Sequence, residues 1–255
     1  MGSNILSLTS ADVASRFFGF FAVAYLARTV GPEVMGLLAA GMGILTWGTI
    51  LAEAGLPTLG TRKVATSNAA PMNLVHRFIT TRLVLSLGVL ILFAPILFFM
   101  LDTPRLRNIT LIYLLALFPS TLVLEWVFQG LRKMTILATG RIVAAVSYLL
   151  WVLMFVRSES SIIWIPVGWV ASVVAQSIYL WKQYGGINET ESTDVPPALN
   201  LIKTAFPLAV AGLVAQVITH FPVVYLGITD PHEGGLFSVA YRVIVLLLVV
   251  DRVFY

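Results

Sequence analysis

The first apolar segment and the turn that ends it constrain the fold most strongly. Residues 5–27 form an apolar run of 23 residues, which as an α-helix would span about 34 Å and cross a hydrocarbon core of about 30 Å. A secretory signal peptide has a shorter apolar core, followed by a polar mature chain, whereas a second apolar run follows here after only eight residues. We therefore predict a membrane-spanning helix that ends at a Gly31-Pro32 turn.

The composition of the whole chain also indicates a membrane protein. Of its 255 residues, 58% are hydrophobic and 11% are charged, against about 25% charged in a typical soluble domain. The net charge of +4 would favour nucleic-acid binding in a soluble protein, but the basic residues lie in short loops between apolar runs. Nucleic acid is therefore not an expected partner. Cysteine is absent, which excludes disulfides and cysteine metal sites.

Eight apolar segments follow one another along the chain. Short breaks with turn and charge signals separate most of them, but residues 183–199 form a longer polar stretch. We expect an all-α polytopic membrane protein with a six-helix lobe at residues 1–182, a cytoplasmic linker at 183–199 and an incomplete second lobe at 200–255. The predicted segments are residues 5–27, 36–59, 78–101, 109–128, 136–156, 161–181, 201–228 and 235–255.

The basic residues also predict the orientation of the chain. If the N-terminus is cytoplasmic, the cytoplasmic loops and flanks hold nine Lys and Arg residues and the outer side holds four. An excess of basic residues is typical of the cytoplasmic side of a membrane protein. We therefore expect a cytoplasmic N-terminus.

A short motif occurs at corresponding places in the two predicted lobes. P-x-x-x-G-L stands at residues 32–37 after the first segment and at residues 231–236 after the seventh, with Tyr25-Leu26 and Tyr225-Leu226 before the two turns. This recurrence predicts a parallel internal repeat of six helices, as in some two-lobed transporters. On this interpretation the second lobe lacks most of its helices, and we expect the chain to be a fragment of a longer protein.

Charged residues inside apolar segments are the candidate functional residues, because a charge at mid-membrane costs several kcal/mol unless it faces protein or water. Arg16 lies about 16 Å along the first helix, near the bilayer midplane. It either pairs with Asp12 one turn earlier or faces a central cavity, where its planar fork of donors would hold a phosphate. The two interpretations are compatible.

Glu53 and Glu125 lie near the inner ends of the second and fourth segments. Glu53 is either an interfacial carboxylate, paired with Arg62 or Arg82, or a functional group. Glu125 shares a helix face with Gln129, and its expected partner is Arg132 or Arg141.

Three further residues are candidates in the outer and late segments. Arg28 is interpreted either as a side chain that snorkels to the outer interface or as a functional group. His220, one turn from Gln216, either lines a cavity or is packed in the bundle. Arg242 is the candidate of the second lobe.

The sequence lacks three common enzyme signatures. It has no G-x-x-x-x-G-K-[ST] loop, no H-E-x-x-H pair and no G-x-S-x-G elbow. Its three histidines stand far apart. We therefore expect no enzymatic activity, no metal site and no cofactor.

Several stretches resemble the Wzx-like polysaccharide flippases of the multidrug/oligosaccharidyl-lipid/polysaccharide (MOP) exporter superfamily, which include the O-antigen flippases. They are Ala27-Arg28-x-x-Gly31-Pro32-Glu33-x-x-Gly36, the run GLPTLGTRKVA at residues 55–65, EWVFQG at 125–130 and GLFSVAYR at 235–242. The resemblance implies two lobes around a cationic cavity. It also implies translocation of a polyprenyl-diphosphate-linked oligosaccharide across the plasma (inner) membrane.

The resemblance implies a head-group contact from Arg16. Together with the candidates above, we expect substrate contacts from Arg16, Arg28, Glu125, Gln129 and Arg242, and gating or ion-pair roles for Asp12, Glu53 and Arg62. Expected partners are the lipid-linked oligosaccharide, membrane lipids, and the glycosyltransferases and polymerase of a polysaccharide pathway. Two alternatives stay open: a cation-coupled multidrug exporter of the same superfamily, and a non-transporting membrane scaffold for glycosyltransferases.

Overall fold

The computed structural model describes residues 2–185 and 196–254, with side chains for Ser15, 17–185 and 196–244. These residues form a bundle of ten α-helices and one 3-10 turn at Glu159–Ser161, without a strand. Most of the predicted linker lies outside the described residues. The helices are α1 Gly2–Glu53, α2 Leu56–Ser67, α3 Met72–Met100, α4 Pro104–Leu115, α5 Leu117–Thr121, α6 Glu125–Gly130, α7 Met134–Phe155, α8 Trp164–Tyr184, α9 Ala198–Thr229 and α10 Pro231–Phe254.

The first two predicted segments are the two arms of α1, which reverses direction at Gly31. Gly31 has φ 77° and ψ 171°, a left-handed φ that glycine adopts without steric cost. Gly19 and Gly43, each twelve residues from Gly31, line the same cavity, so the two arms run antiparallel. Pro32 begins the second arm, where its missing N–H costs no helical hydrogen bond.

Five helices within the described ranges are long and apolar enough to cross a membrane. Their spans are Phe17–Glu53, which includes both arms of α1, and Met72–Met100, Met134–Phe155, Trp164–Tyr184 and Ala198–Thr229. The third, fifth, sixth and seventh predicted segments therefore correspond to α3, α7, α8 and α9.

The prediction of one continuous helix over residues 109–128 was wrong. The segment is broken into α4, α5 and α6, with breaks at Ala116 and at residues 122–124. Pro119 explains the first break, since its ring would clash with the carbonyl of Leu115 four residues earlier in a continuous helix. The second segment also ends early, at Glu53, because Ala54 and Gly55 adopt left-handed φ angles of 46° and 73°.

Side chains of neighbouring helices donate hydrogen bonds to carbonyl oxygens of the broken segment. A lipid-facing membrane segment cannot leave such groups unsatisfied, since hydrocarbon offers no hydrogen-bond donors. The donors come from α3 and α8: Arg82 Nη2 to Ser120 O (3.0 Å) and Nη1 to Thr121 O (3.3 Å), Ser86 Oγ to Leu117 O (3.4 Å), Ser177 Oγ to Pro119 O (3.2 Å) and Trp181 Nε1 to Leu122 O (3.0 Å).

The two P-x-x-x-G-L motifs pack against each other reciprocally. A Cβ on Gly36 would overlap the carbonyl of Pro231, and a Cβ on Gly235 would overlap the carbonyl of Pro32. Both pairs of equivalent positions are separated by the same number of residues, because 231 − 32 and 235 − 36 both equal 199. Contacts of i with j and of j with i are typical of two-fold related surfaces. The repeated motif therefore lies on a pseudo-two-fold axis between α1 and the α9–α10 turn.

Candidate functional site

A cavity of about 320 Å³ lies between both arms of α1 and helices α7 to α10. This volume is at the lower end of the range for ligand sites, about 300–1,000 Å³. Tyr148 of α7 and Trp169 of α8 form part of its wall. The remaining lining residues come from the two repeats.

The two repeats contribute equivalent positions but different chemistry to the cavity. Equivalent residues of the two repeats are 200 positions apart when they precede the turn, as Tyr25 and Tyr225 do, and 199 positions apart when they follow it. At these equivalent positions, α1 of the first repeat provides apolar side chains and glycine, whereas α9 and α10 of the second provide most of the polar side chains. The lining pairs are Phe20 and His220, Val23 and Val223, Ala39 and Ser238, Met42 and Tyr241, and Gly43 and Arg242.

Five polar side chains of the cavity have no hydrogen-bond or ion-pair partner among the residues that the structure describes. They are Arg242, His220, Tyr148, Tyr241 and Trp169. Each presents an N–H, O–H or ring nitrogen, and in a membrane a polar group without a partner is costly. A set of such groups around one cavity is therefore suited to a ligand rich in hydrogen-bond acceptors.

The cavity also has a positive electrostatic character. Arg242 lies close enough to His220 and Tyr148 to interact with both electrostatically. No Asp or Glu is among the described residues that line the cavity. A concave site lined by charge of one sign attracts ligands of the opposite sign, so this geometry favours an anion.

A second polar cluster, which we call the inner network, lies around the broken segment. Arg82 Nη2 is 2.8 Å from Glu53 Oε1, and Arg141 Nη2 is 2.9 Å from Glu125 Oε2. Gln176 Nε2 donates to Glu125 Oε1 at 2.6 Å. Each carboxylate is therefore matched by one guanidinium, and the inner network carries no net charge. Arg82 is only 3% exposed and also binds two carbonyls of the broken segment.

The structure places the predicted site residues in different parts of the molecule. Arg242 lines the cavity, whereas Glu53 and Glu125 belong to the inner network. Of the partners predicted for Glu53, the structure shows Arg82 and not Arg62. Of those predicted for Glu125, it shows Arg141 and not Arg132. The Gln129 Oε1 atom accepts a hydrogen bond from Thr61 Oγ1 at 3.4 Å.

Two other predicted residues, Arg28 and Arg62, stay apart from both clusters. Arg28 and Arg62 are exposed, and neither side chain has a hydrogen-bond or ion-pair partner within the described part of the chain. The side chains of Asp12 and Arg16 lie outside the described residues, so their roles stay predictions.

The sequence predictions missed several cavity residues. Ser238 and Tyr241 precede Arg242 by four residues and by one on α10, and all three line the cavity. The spacing of Ser238 and Arg242 at i and i+4 is a signal that could have revealed a shared face. Tyr148 and Trp169 stand in ordinary apolar helices, and only the tertiary structure brings them to the site.

The sequence profile of the polysaccharide biosynthesis protein family matches residues 1–251 of the chain. The chain belongs to this family. The family match confirms the predicted resemblance and identifies the chain as a multi-pass membrane protein. No curated protein matches the chain at a significant level.

Solved transporters share the fold of this family member at low sequence identity. A MATE transporter in complex with MaD3S is 15% identical, with a TM-score of 0.66, 96% of this chain covered and 60% of that chain. A MOP superfamily transporter from Pyrococcus furiosus, described with a binding pocket of reverse polarity, is 17% identical, with a TM-score of 0.62 and the same coverage. An outward-facing multidrug resistance MATE transporter is 16% identical, with a TM-score of 0.61 and again the same coverage.

These likenesses show that the chain has the fold of MOP superfamily transporters. The chain spans about 60% of the length of the transporters it matches.

Proposed function

We propose that this chain takes part in moving a polyprenyl-diphosphate-linked oligosaccharide from the inner to the outer face of the plasma membrane, with its N-terminus in the cytoplasm. The observation that carries the proposal is the cavity on the pseudo-two-fold axis, which is lined by unpartnered hydrogen-bonding groups and by a guanidinium, without a described carboxylate. Diphosphate oxygens and sugar hydroxyls are the acceptors that such a site would bind.

The physical problem of this transport is the charged and hydrated head group. Hydrocarbon offers it neither counter-charge nor hydrogen bonds, so the free energy of crossing is prohibitive without a lined pathway. Arg242 would offset part of the diphosphate charge through charge-assisted hydrogen bonds. Tyr148, Tyr241 and Trp169 would replace part of the hydration of the head group, while the polyprenyl tail stays in lipid.

Charge also separates this proposal from a cation-coupled multidrug exporter. Such an exporter needs a carboxylate that is free to bind a cation or a proton. Within the described side chains, Glu53 and Glu125 are each neutralised by an arginine, and the cavity carries positive charge. The reverse-polarity pocket of the Pyrococcus furiosus transporter supports the view that pocket charge varies within this fold.

The cavity disfavours the alternative of a scaffold that only recruits glycosyltransferases, because such a scaffold needs no ligand site. Unpartnered polar groups within a membrane bundle cost stability, and a purely structural protein gains nothing from them. Binding of glycosyltransferases and a polymerase stays a prediction beside the transport function.

The proposal is tested by transport in proteoliposomes. The full chain is reconstituted with a polyprenyl-diphosphate oligosaccharide in both leaflets, and a membrane-impermeant glycosidase reports the accessible fraction. We expect accessibility to rise from about half to nearly complete with the wild type and with Arg157→Ala, an exposed arginine remote from the cavity. Arg242→Ala should abolish the rise. A wild-type chain that leaves half of the glycan protected, or Arg242→Ala activity equal to wild type, would contradict the proposal.

A further inference from the structure

Two aromatic side chains of the cavity, Tyr148 and Trp169, contact each other and keep their polar atoms free of partners among the described residues. The rings of Tyr148 and Trp169 meet edge to face, with centroids 5.7 Å apart and an interplanar angle of 82°. Both line the cavity from the side of α7 and α8. Neither the Tyr148 hydroxyl nor the Trp169 indole N–H has a hydrogen-bond partner in the described part of the chain.

Several other tryptophan and tyrosine donors hold the bundle together. Five of them donate to backbone carbonyls of distant helices or loops: Trp47 to Gln216, Trp151 to Trp164, Trp181 to Leu122, Tyr25 to Val156 and Tyr184 to Ala70. Trp126 Nε1 has no partner either, but its ring is 3% exposed and stacks on Phe78 in the core. Tyr148 and Trp169 therefore combine free donors with a position at the cavity wall.

The chemistry of this pair matches one class of ligand. A pyranose ring has an apolar face of C–H groups and an edge of hydroxyls. An aromatic ring offers a negative face to the C–H groups, and the phenol and indole tips offer hydrogen-bond donors to the hydroxyls. An aliphatic chain would leave both donors unsatisfied, and a bare phosphate would leave the aromatic surface without a partner.

The pair also stands where a sugar next to the diphosphate would lie. Arg242 enters the cavity from α10, whereas Tyr148 and Trp169 enter from α7 and α8. Arg242 and Tyr148 line the same cavity of about 320 Å³. A head group whose phosphates contact Arg242 therefore has its adjoining ring within reach of the aromatic pair.

We infer that Tyr148 and Trp169 form a sugar-stacking platform, so that the cavity recognises the sugar attached to the diphosphate as well as the diphosphate itself. This inference rests on the proposed function, since it assigns a second part of the same ligand to the same cavity.

The test compares two probes on the purified full chain: a short-chain prenyl diphosphate, and the same compound with one N-acetylhexosamine attached. We expect the wild type to bind the sugar-bearing probe about 3- to 10-fold more tightly, a gain typical of one aromatic contact. Trp169→Ala should remove this gain and leave the affinity for the bare prenyl diphosphate unchanged. Trp169→Phe should keep most of the gain, and Trp164→Ala, an exposed tryptophan outside the cavity, should keep all of it.

The outcomes separate this inference from the proposed function. If the wild type binds both probes equally, or if Trp169→Ala weakens both probes to the same extent, the sugar platform is wrong. Loss of folding in Trp169→Ala shifts the test to Trp169→Phe and Tyr148→Phe, where an undiminished sugar gain in the double variant would overturn the hydrogen-bonding part of the platform. If Arg242→Gln leaves the affinity for bare prenyl diphosphate unchanged, the proposed function itself fails.

Discussion

The cavity and the inner network both place arginine inside a membrane bundle, but they treat its charge in opposite ways. Arg82 of the inner network is 3% exposed and has a carboxylate and two backbone carbonyls as acceptors. Arg242 of the cavity has no partner in the described residues. Buried charges in proteins are normally paired, and the fold supplies the partners of Arg82, whereas Arg242 is exposed at the cavity and free to contact a ligand.

This difference teaches how to separate structural from functional charges in such a bundle. Both arginines interrupt apolar helices and look alike in the sequence. Arg82 stands beside a helix that Pro119 breaks, and it donates hydrogen bonds to carbonyls of the broken segment. Arg242 stands opposite Gly43 across the pseudo-two-fold axis, where the first repeat offers it nothing to bind.

The largest expected effect is on folding, from Arg82→Ala. This change leaves Glu53 without its partner and removes one hydrogen bond from each of Ser120 O and Thr121 O, and removal of one member of a buried ion pair costs about 3–5 kcal/mol. We expect a large drop in the melting temperature and in the monodisperse fraction in detergent. Arg82→Lys, which keeps the charge but not the fork of donors, should recover part of the loss. Wild-type stability of Arg82→Ala would remove the contrast between the two arginines.

A smaller effect is expected where the two repeats touch. Gly36→Leu would place a side chain against the carbonyl of Pro231, and overpacking of this kind costs about 1–3 kcal/mol. Thermal unfolding should show a lower melting temperature than for Gly88→Ala, since a Cβ on Gly88 meets nothing within 4 Å. Equal melting temperatures of the two variants would show that the repeats do not pack closely on the axis.

The smallest effect on stability is expected from Arg141→Gln, which breaks the more exposed ion pair of the inner network. The side chains of Arg141 and Glu125 are 39% and 29% exposed, so solvent screens the pair and its loss should cost about 1 kcal/mol. Gln176 still donates to Glu125 in this variant. Unfolding measurements should therefore show a drop well below that of Arg82→Ala, and a drop of equal size would contradict the graded account of the network.

The sequence was enough to predict the membrane bundle and to single out two residues of the cavity, Arg242 and, as one of two alternatives, His220. Residue 242 stands out because a charge inside an apolar run is costly wherever it lies. The same reasoning left the partners of Glu53 and Glu125 open, because Arg82 and Arg141 are separated from them by 29 and 16 positions and only packing decides between alternatives. Tyr148 and Trp169 carried no signal, since aromatic residues are ordinary components of apolar helices.

The broken segment at residues 109–128 shows a second limit of prediction from sequence. Pro119 was visible in the sequence, but an apolar run of membrane-spanning length was predicted as one helix in spite of it. The break is tolerated because α3 and α8 carry donors that bind carbonyls of the broken segment. That compensation depends on residues far away in the chain, and periodicity within one segment does not reveal it.

The most direct test of the central claim is a competition at the cavity between a prenyl diphosphate and the lipophilic cation tetraphenylphosphonium, measured on the wild type, Arg242→Glu and Arg157→Glu. Hydrogen bonds to charged groups contribute about 1.5–3 kcal/mol, so we expect the wild type and Arg157→Glu to prefer the anion, and Arg242→Glu to lose roughly 10- to 150-fold in anion affinity while gaining affinity for the cation. A wild-type preference for tetraphenylphosphonium, or anion binding unchanged by Arg242→Glu, would contradict the claim that this cavity is built for an anionic head group.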